Sequence, residues 1–121
     1  MHLNLHLKYL FPTEERREGH LKDVQGVGLF EIAQGATSAY HLFVIKAKDR
    51  KELQFLLNEA GVGTLIHYPI PPHMQEAYAG LGMAPGDLPI AESLASSVIS
   101  LPMGPHVTIE QVEHITSVLG K

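Results

Sequence analysis

Cysteine is absent from the 121 residues. That excludes disulfides, Cys-ligated zinc or iron–sulfur centres and a thiol nucleophile, and it fits a reducing compartment. There is no basic surplus either: nine Lys and Arg stand against 13 Asp and Glu, a formal charge of −4, which argues against a nucleic-acid or anionic-membrane surface. No apolar run approaches the roughly 18–20 residues of a membrane span. The N-terminus, MHLNLHLKYLF, alternates polar and apolar residues and lacks the h-region of a secretory signal, so the expected location is the cytoplasm. Also missing are internal repeats, low-complexity tracts and a G-x-S-x-G nucleophile motif. Asp87 and Glu92 are possible acids, but no second carboxylate is placed to make a pair, and Asp87 reads better as a turn residue. What is present is an ordinary globular composition, 45% hydrophobic and 18% charged. The length suits one domain that can bury a core without a disulfide or metal staple.

Residues 1–36 carry apolar pieces, a charge cluster (Glu14, Glu15, Arg16, Arg17, Glu18) and scattered glycines, and build no obvious element. From residue 37 the punctuation is clean. Ala39 to Ile45 is nearly continuous apolar, as a strand covered on both faces would be. A helix follows, with Asp49 as N-cap, Glu52 three residues on, an apolar stripe of Leu53, Leu56, Leu57 and Ala60, and Gly61 at its end. Gly63 to Tyr68 reads as a second strand stopped by Pro69. Pro72 can open a short helix through Met74, Ala77 and Tyr78, broken at Gly80 and Gly82, and Pro85-Gly86-Asp87 is a turn. Ile90 to about Ser97 reads as a helix with Ala91, Leu94, Ala95 and Val98 on one face, and Val98–Leu101 as a short strand ended by Pro102. In the last helix Thr108 and Gln111 form a capping box, Val107 and Val112 a hydrophobic staple, and Ile109, Val112, Ile115 and Leu119 the expected buried stripe.

This order gives an α/β (or α+β) fold with helices on a short sheet of three or four strands. It suits an accessory domain better than a doubly wound nucleotide-binding one. Gly61 and Gly63 follow a helix, whereas a phosphate-binding loop follows a strand.

Eight histidines are many for this length. His2 and His6 share helical spacing but lack the acidic residue of an H-E-x-x-H pair and read as incidental. His41, inside an apolar strand, reads as structural, His106 as part of a loop turn and His114 as exposed. His67 and His73 bracket a proline-rich loop, HYPIPPH, that leaves the C-terminal end of a strand. Such ends commonly face ligands, and an imidazole beside a phenol offers hydrogen bonds to sugar hydroxyls or phosphate. The loop also fits a second reading, a rigid turn with surface histidines. The residues alone give no reaction.

The run Ala39-Tyr40-His41-Leu42-Phe43-Val44-Ile45, the run from Ala60 through His67-Tyr68-Pro69-Ile70-Pro71-Pro72-His73, then Ile90-Ala91-Glu92 and Ser100-Leu101-Pro102-Met103-Gly104-Pro105-His106 resemble the C-terminal part of the DegT/DnrJ/StrS family of pyridoxal-phosphate-dependent nucleotide-sugar aminotransferases. The resemblance runs from about Gly35 to Lys121, is weaker from Leu21 to Val24, and is poor over residues 1–20. It implies the small C-terminal domain of a fold-type-I aminotransferase over 37–121, with 1–36 as a lead-in. It further implies a homodimer, with active sites at the subunit interface, and an amino group moved from glutamate to a nucleotide-linked keto-deoxyhexose at carbon 3. His67 and Tyr68 would then be substrate-side residues and His73 a weaker candidate.

The family binds pyridoxal 5'-phosphate through a lysine, an aspartate and phosphate-holding groups of a large domain. Lys8, Lys22, Lys46, Lys48, Lys51 and Lys121 do not resemble the family's lysine motif. The expectation is therefore no catalytic residue and no bound cofactor in this chain alone, an inactive and truncated part of the enzyme, and self-association or pairing with a large-domain partner. The competing readings are a non-catalytic sugar-nucleotide-binding or interaction module and a gene remnant.

Overall fold

Residue parity along two strands divides this molecule into a core side and a cleft side. The computed structural model describes residues 24–39, 41–104 and 106–120. Three antiparallel strands, β1 (Val27–Gly28), β2 (Phe43–Ala47) and β3 (Val98–Leu101), lie in the order β1-β2-β3, with Ile45 opposite Ile99 and Val44 opposite Ser100. Side chains alternate faces along a strand. The odd positions Ile45, Ala47, Ile99 and Leu101 meet Leu57 of helix α1 (Arg50–Glu59) and Ile115, Val118 and Leu119 of helix α3 (Ile109–Leu119) in one core cluster. The even positions Val44 and Val98 face the other way, toward Ala91, Leu94 and Ala95 of helix α2 (Pro89–Ser97). All four residues of β3 are buried, because helices or loops cover both of its faces. This is the expected α/β arrangement, with three strands.

The helix ends follow the sequence signals. Asp49 accepts from the Glu52 amide at 3.0 Å. At the far end of α1, Gly61 (φ 77°) lets its own amide reach Asn58 and the Val62 amide reach the Leu57 carbonyl, and Val62 packs with Leu57 in the core. That pairing satisfies two carbonyls the helix would leave open. The Thr108–Gln111 capping box of α3 forms in both directions.

Several expectations differ in detail. The strand expected over 39–45 forms over Phe43–Ala47, because its ladder extends only as far as its partners: β3 pairs with Phe43–Lys46 and β1 with Lys46 and Ala47. The strand expected over 63–68 reduces to one bridge, Leu65 to Ser100, since Pro69 follows closely and β3 is only four residues long. Ile109 is 42% exposed and leaves the buried stripe of α3 to Ile115, Val118 and Leu119. The short helix from Pro72 forms as two 3-10 turns, Pro72–Met74 and Glu76–Leu81, ending at Gly82 in the left-handed region. The His2/His6 pair, the charge cluster at 14–18 and Lys8, Lys22 and Lys121 lie outside the described residues.

Candidate functional site

The cleft-facing side of the sheet forms the floor of an open cavity of about 450 Å³. Val44 and Val98 come from the sheet, Ala91, Leu94 and Ala95 from α2, Phe30 from the segment after β1, and His67, Tyr68, Ile70, Pro71 and Pro72 from the proline-rich loop. The α2 residues are those the sequence placed on one helix face. Nearly every lining group is apolar, so the imidazole of His67 and the phenol of Tyr68 are its polar features.

The Leu65–Ser100 bridge delivers those two side chains. Leu65 and Ser100 exchange backbone hydrogen bonds of 3.2 and 2.7 Å, which pins the chain to β3 two residues before His67. Nδ1 of His67 then lies 2.9 Å from Oγ of Ser100. The His67 and Tyr68 rings meet edge to face at 86° with centroids 5.5 Å apart, across a cis peptide bond. Tyr68 is 70% exposed and stands at the rim. Such an arrangement can bind a polar ligand by hydrogen bonds at one edge and by apolar contact with its floor.

His73 is placed differently. It is buried, it donates from Nε2 to Glu92 at 3.1 Å, and its Nδ1 has no hydrogen-bond partner among the described residues. It does not line the cleft. The structure joins His67 and Tyr68 in one site and ties His73 to the start of α2. Glu92 also accepts from the Gly86 amide at 2.8 and 3.0 Å and from the Leu88 amide at 3.4 Å. The Gly86 amide above all, then the His73 hydrogen bond, hold its carboxyl below the ordinary glutamate value. Asp87 accepts from the Ala84 amide at 2.8 Å and closes the neighbouring turn, as its sequence position implies.

A carboxyl lowered in the folded state stabilises that state in full above the unfolded glutamate pKa, about 4.3. The contribution fades as pH falls through the lowered folded value. Glu92→Gln is therefore expected to reduce the urea midpoint at pH 7 and to lie much closer to the parent at pH 3. An equal gap at both pH values would show that the carboxylate charge does not hold this turn.

Sequence reasoning missed Ser100 and Phe30 as cleft-side residues. The parity of β3 beside its buried odd residues could have marked Ser100; nothing in the sequence connects Phe30 to the loop. Among the described residues no cluster of three or more His, Asp or Glu could hold a metal ion, and no helix is long and apolar enough to cross a membrane.

The sequence profile of the DegT/DnrJ/EryC1/StrS aminotransferase family matches residues 14–120. The chain is 46% identical over 124 residues to the erythromycin biosynthesis sensory transduction protein EryC1 of Saccharopolyspora erythraea, covering 97% of this chain and 34% of that protein. It is 44% identical over 87 residues to dTDP-3-amino-3,4,6-trideoxy-alpha-D-glucose transaminase of Streptomyces venezuelae, covering 72% of this chain and 23% of the relative. The crystal structure of S. venezuelae DesV in complex with a ketimine intermediate superposes with a TM-score of 0.87 at 34% identity, over 98% of this chain and 32% of that one. The chain thus spans about a third of the length, or less, of the proteins it matches.

The matched family depends on pyridoxal phosphate. Holding that cofactor takes an amine for covalent attachment and a partner for the pyridine nitrogen. Among the described lining residues the cleft offers one imidazole and one phenol, with no lysine and no carboxylate. Lys46 points its Nζ at the Phe30 ring, 5.1 Å from the centroid. These residues do not fit the cofactor by themselves.

Proposed function

The chain belongs to the DegT/DnrJ/EryC1/StrS aminotransferase family, and we propose that it supplies the substrate-side wall of a sugar aminotransferase, with residues 37–121 as the small C-terminal domain and 1–36 as the lead-in. The substrate class is a nucleotide-linked keto-deoxyhexose aminated at carbon 3, with glutamate as amino donor. A transaminase relative named for a 3-amino sugar supports the carbon-3 reading. The observation that carries the proposal is the pairing of His67 and Tyr68 at the edge of an apolar cleft. The imidazole and phenol hydrogen-bond the sugar oxygens, while Val44, Leu94 and Val98 exclude water beneath them.

In this reading His73 acts through Glu92, holding the loop that carries the site, rather than by touching the sugar. The cofactor and the covalent chemistry belong to groups outside this cleft, so the 121 residues alone do not transaminate. Exposed Leu65, Leu81 and Ile90 fit self-association or pairing with a lysine-bearing partner. A cytoplasmic location completes the reading.

The test uses the purified chain. It is mixed with pyridoxal phosphate, dialysed and scanned, then titrated with a dTDP-sugar while the His67 and Tyr68 resonances are followed. The expected result is loss of all cofactor absorbance, with shifts at both residues. A retained visible band would place cofactor binding within this chain, and unmoved His67 and Tyr68 would remove the substrate-wall assignment.

A further inference from the structure

We propose that Ser100 is a positioning residue that fixes the tautomer of the neutral His67 imidazole, so that its hydrogen-bond donor is Nε2 at the cleft. This rests on the reading of the cleft as the sugar-binding wall and adds to it the kind of atom that wall recognises.

Ser100 is 5% exposed. It occupies an even position of β3, between Ile99 and Leu101, which enter the core cluster, so its side chain faces the cleft side. Its backbone N–H and C=O are both engaged by Leu65, which leaves the hydroxyl as its remaining polar group. The structure gives that hydroxyl one partner among the described residues, Nδ1 of His67 at 2.9 Å.

A hydroxyl has one proton to donate and two lone pairs that can accept. If Ser100 accepted from a protonated Nδ1, its own proton would be left buried without an acceptor among the described residues. If Ser100 donates to Nδ1, only oxygen lone pairs go unused. Buried donors are left unpaired more rarely than acceptors are left partly used. The serine therefore donates, Nδ1 accepts, and the ring's one proton sits on Nε2.

An imidazole set this way at the lining of the cleft offers N–H to an oxygen acceptor, such as a carbonyl or hydroxyl oxygen of a sugar. It offers no lone pair to a ligand donor. The neighbouring phenol of Tyr68 can both donate and accept, so the pair would take a ligand edge carrying at least one bare oxygen acceptor.

The test is the imidazole nitrogen spectrum of the uniformly 15N-labelled full chain at about pH 9, where histidine is ordinarily neutral, with His67→Gln identifying the His67 signals. In the parent, Nδ1 is expected at the unprotonated limit and Nε2 at the protonated limit. Ser100→Ala is expected to move both toward the averaged values of an imidazole exchanging between its two forms, and Ser100→Thr to restore the parent pattern. A protonated Nδ1 in the parent, averaged values in the parent, or an unchanged pattern in a folded Ser100→Ala chain would each overturn the proposal. The parent spectrum alone carries the test if Ser100→Ala fails to fold. No ligand is involved, so this outcome is independent of the dTDP-sugar titration that judges the substrate-wall reading.

Discussion

Ile99→Ala is expected to lower the free energy of unfolding by about 2–5 kcal/mol. Ile99 is fully buried at 0% exposure, faces Ile45 across the ladder, and shares its cluster with Leu57 of α1 and Ile115 of α3. Truncation removes three methyl or methylene carbons and leaves a void that a sheet–helix contact cannot close. The loss includes both the transfer energy of those carbons and the cavity left behind. A domain of this size holds only about 5–15 kcal/mol in total, so the substitution removes a large share of it. Because Ile99 stands between Val98 and Ser100 on β3, unfolding there also dissolves the floor of the cleft and the contact to His67. Ile99→Val, which deletes one carbon, is expected to cost about 0.5–1.5 kcal/mol. Urea unfolding of the three chains checks the order, and a loss below about 1 kcal/mol for Ile99→Ala would show that the core relaxes around the gap.

The parts of this fold readable in advance were those coded by neighbouring residues. The Thr108–Gln111 box, the Asp49 cap, the Gly61 turn and the limits of β3 each depend on side chains within a few positions, and each formed as the pattern implies. The ends of β2 were less legible because a ladder stops where its partner stops. Ala39 to Ile45 is apolar enough for a strand, yet β2 begins at Phe43 and runs to Ala47 because β1 and β3 supply partners there. Ile109 has the right spacing for the buried stripe, yet it is exposed while Ile115 and Leu119 further along α3 are buried.

The same division holds at the candidate site. The HYPIPPH loop stood out for its composition, and the structure does bring His67 and Tyr68 together. What orients His67 comes from 33 residues away, and what anchors His73 from 19 residues away. Contacts at such separations leave no periodic trace in one sequence. They arise only when the Leu65–Ser100 bridge and the packing of α2 have set the geometry.

The anchoring of α2 itself yields the second large expectation. Arg50 is the first residue of α1, where a cation meets the positive end of the helix dipole at a cost of about 0.3–1 kcal/mol. Its guanidinium instead serves another helix: Nη1 donates to the carbonyl of Ala95 and, at 3.4 Å, to that of Val98, at the C-terminal end of α2. That helix has no basic residue in its own last turn, so the cation its carbonyls favour arrives from across the fold. A hydrogen bond from a charged donor contributes about 1.5–3 kcal/mol, which outweighs the misfit at α1. Arg50→Ala is therefore expected to destabilise the chain by about 1–2 kcal/mol in urea unfolding. Amide exchange should also quicken in the last turn of α2 before it does in β3, because Ala91, Leu94 and Ala95 would lose their anchor while the core cluster keeps its own. Arg50→Lys retains the charge without the planar fork and should recover part of the loss. If Arg50→Ala matched the parent in both measurements, the cleft wall would be held by apolar contact alone.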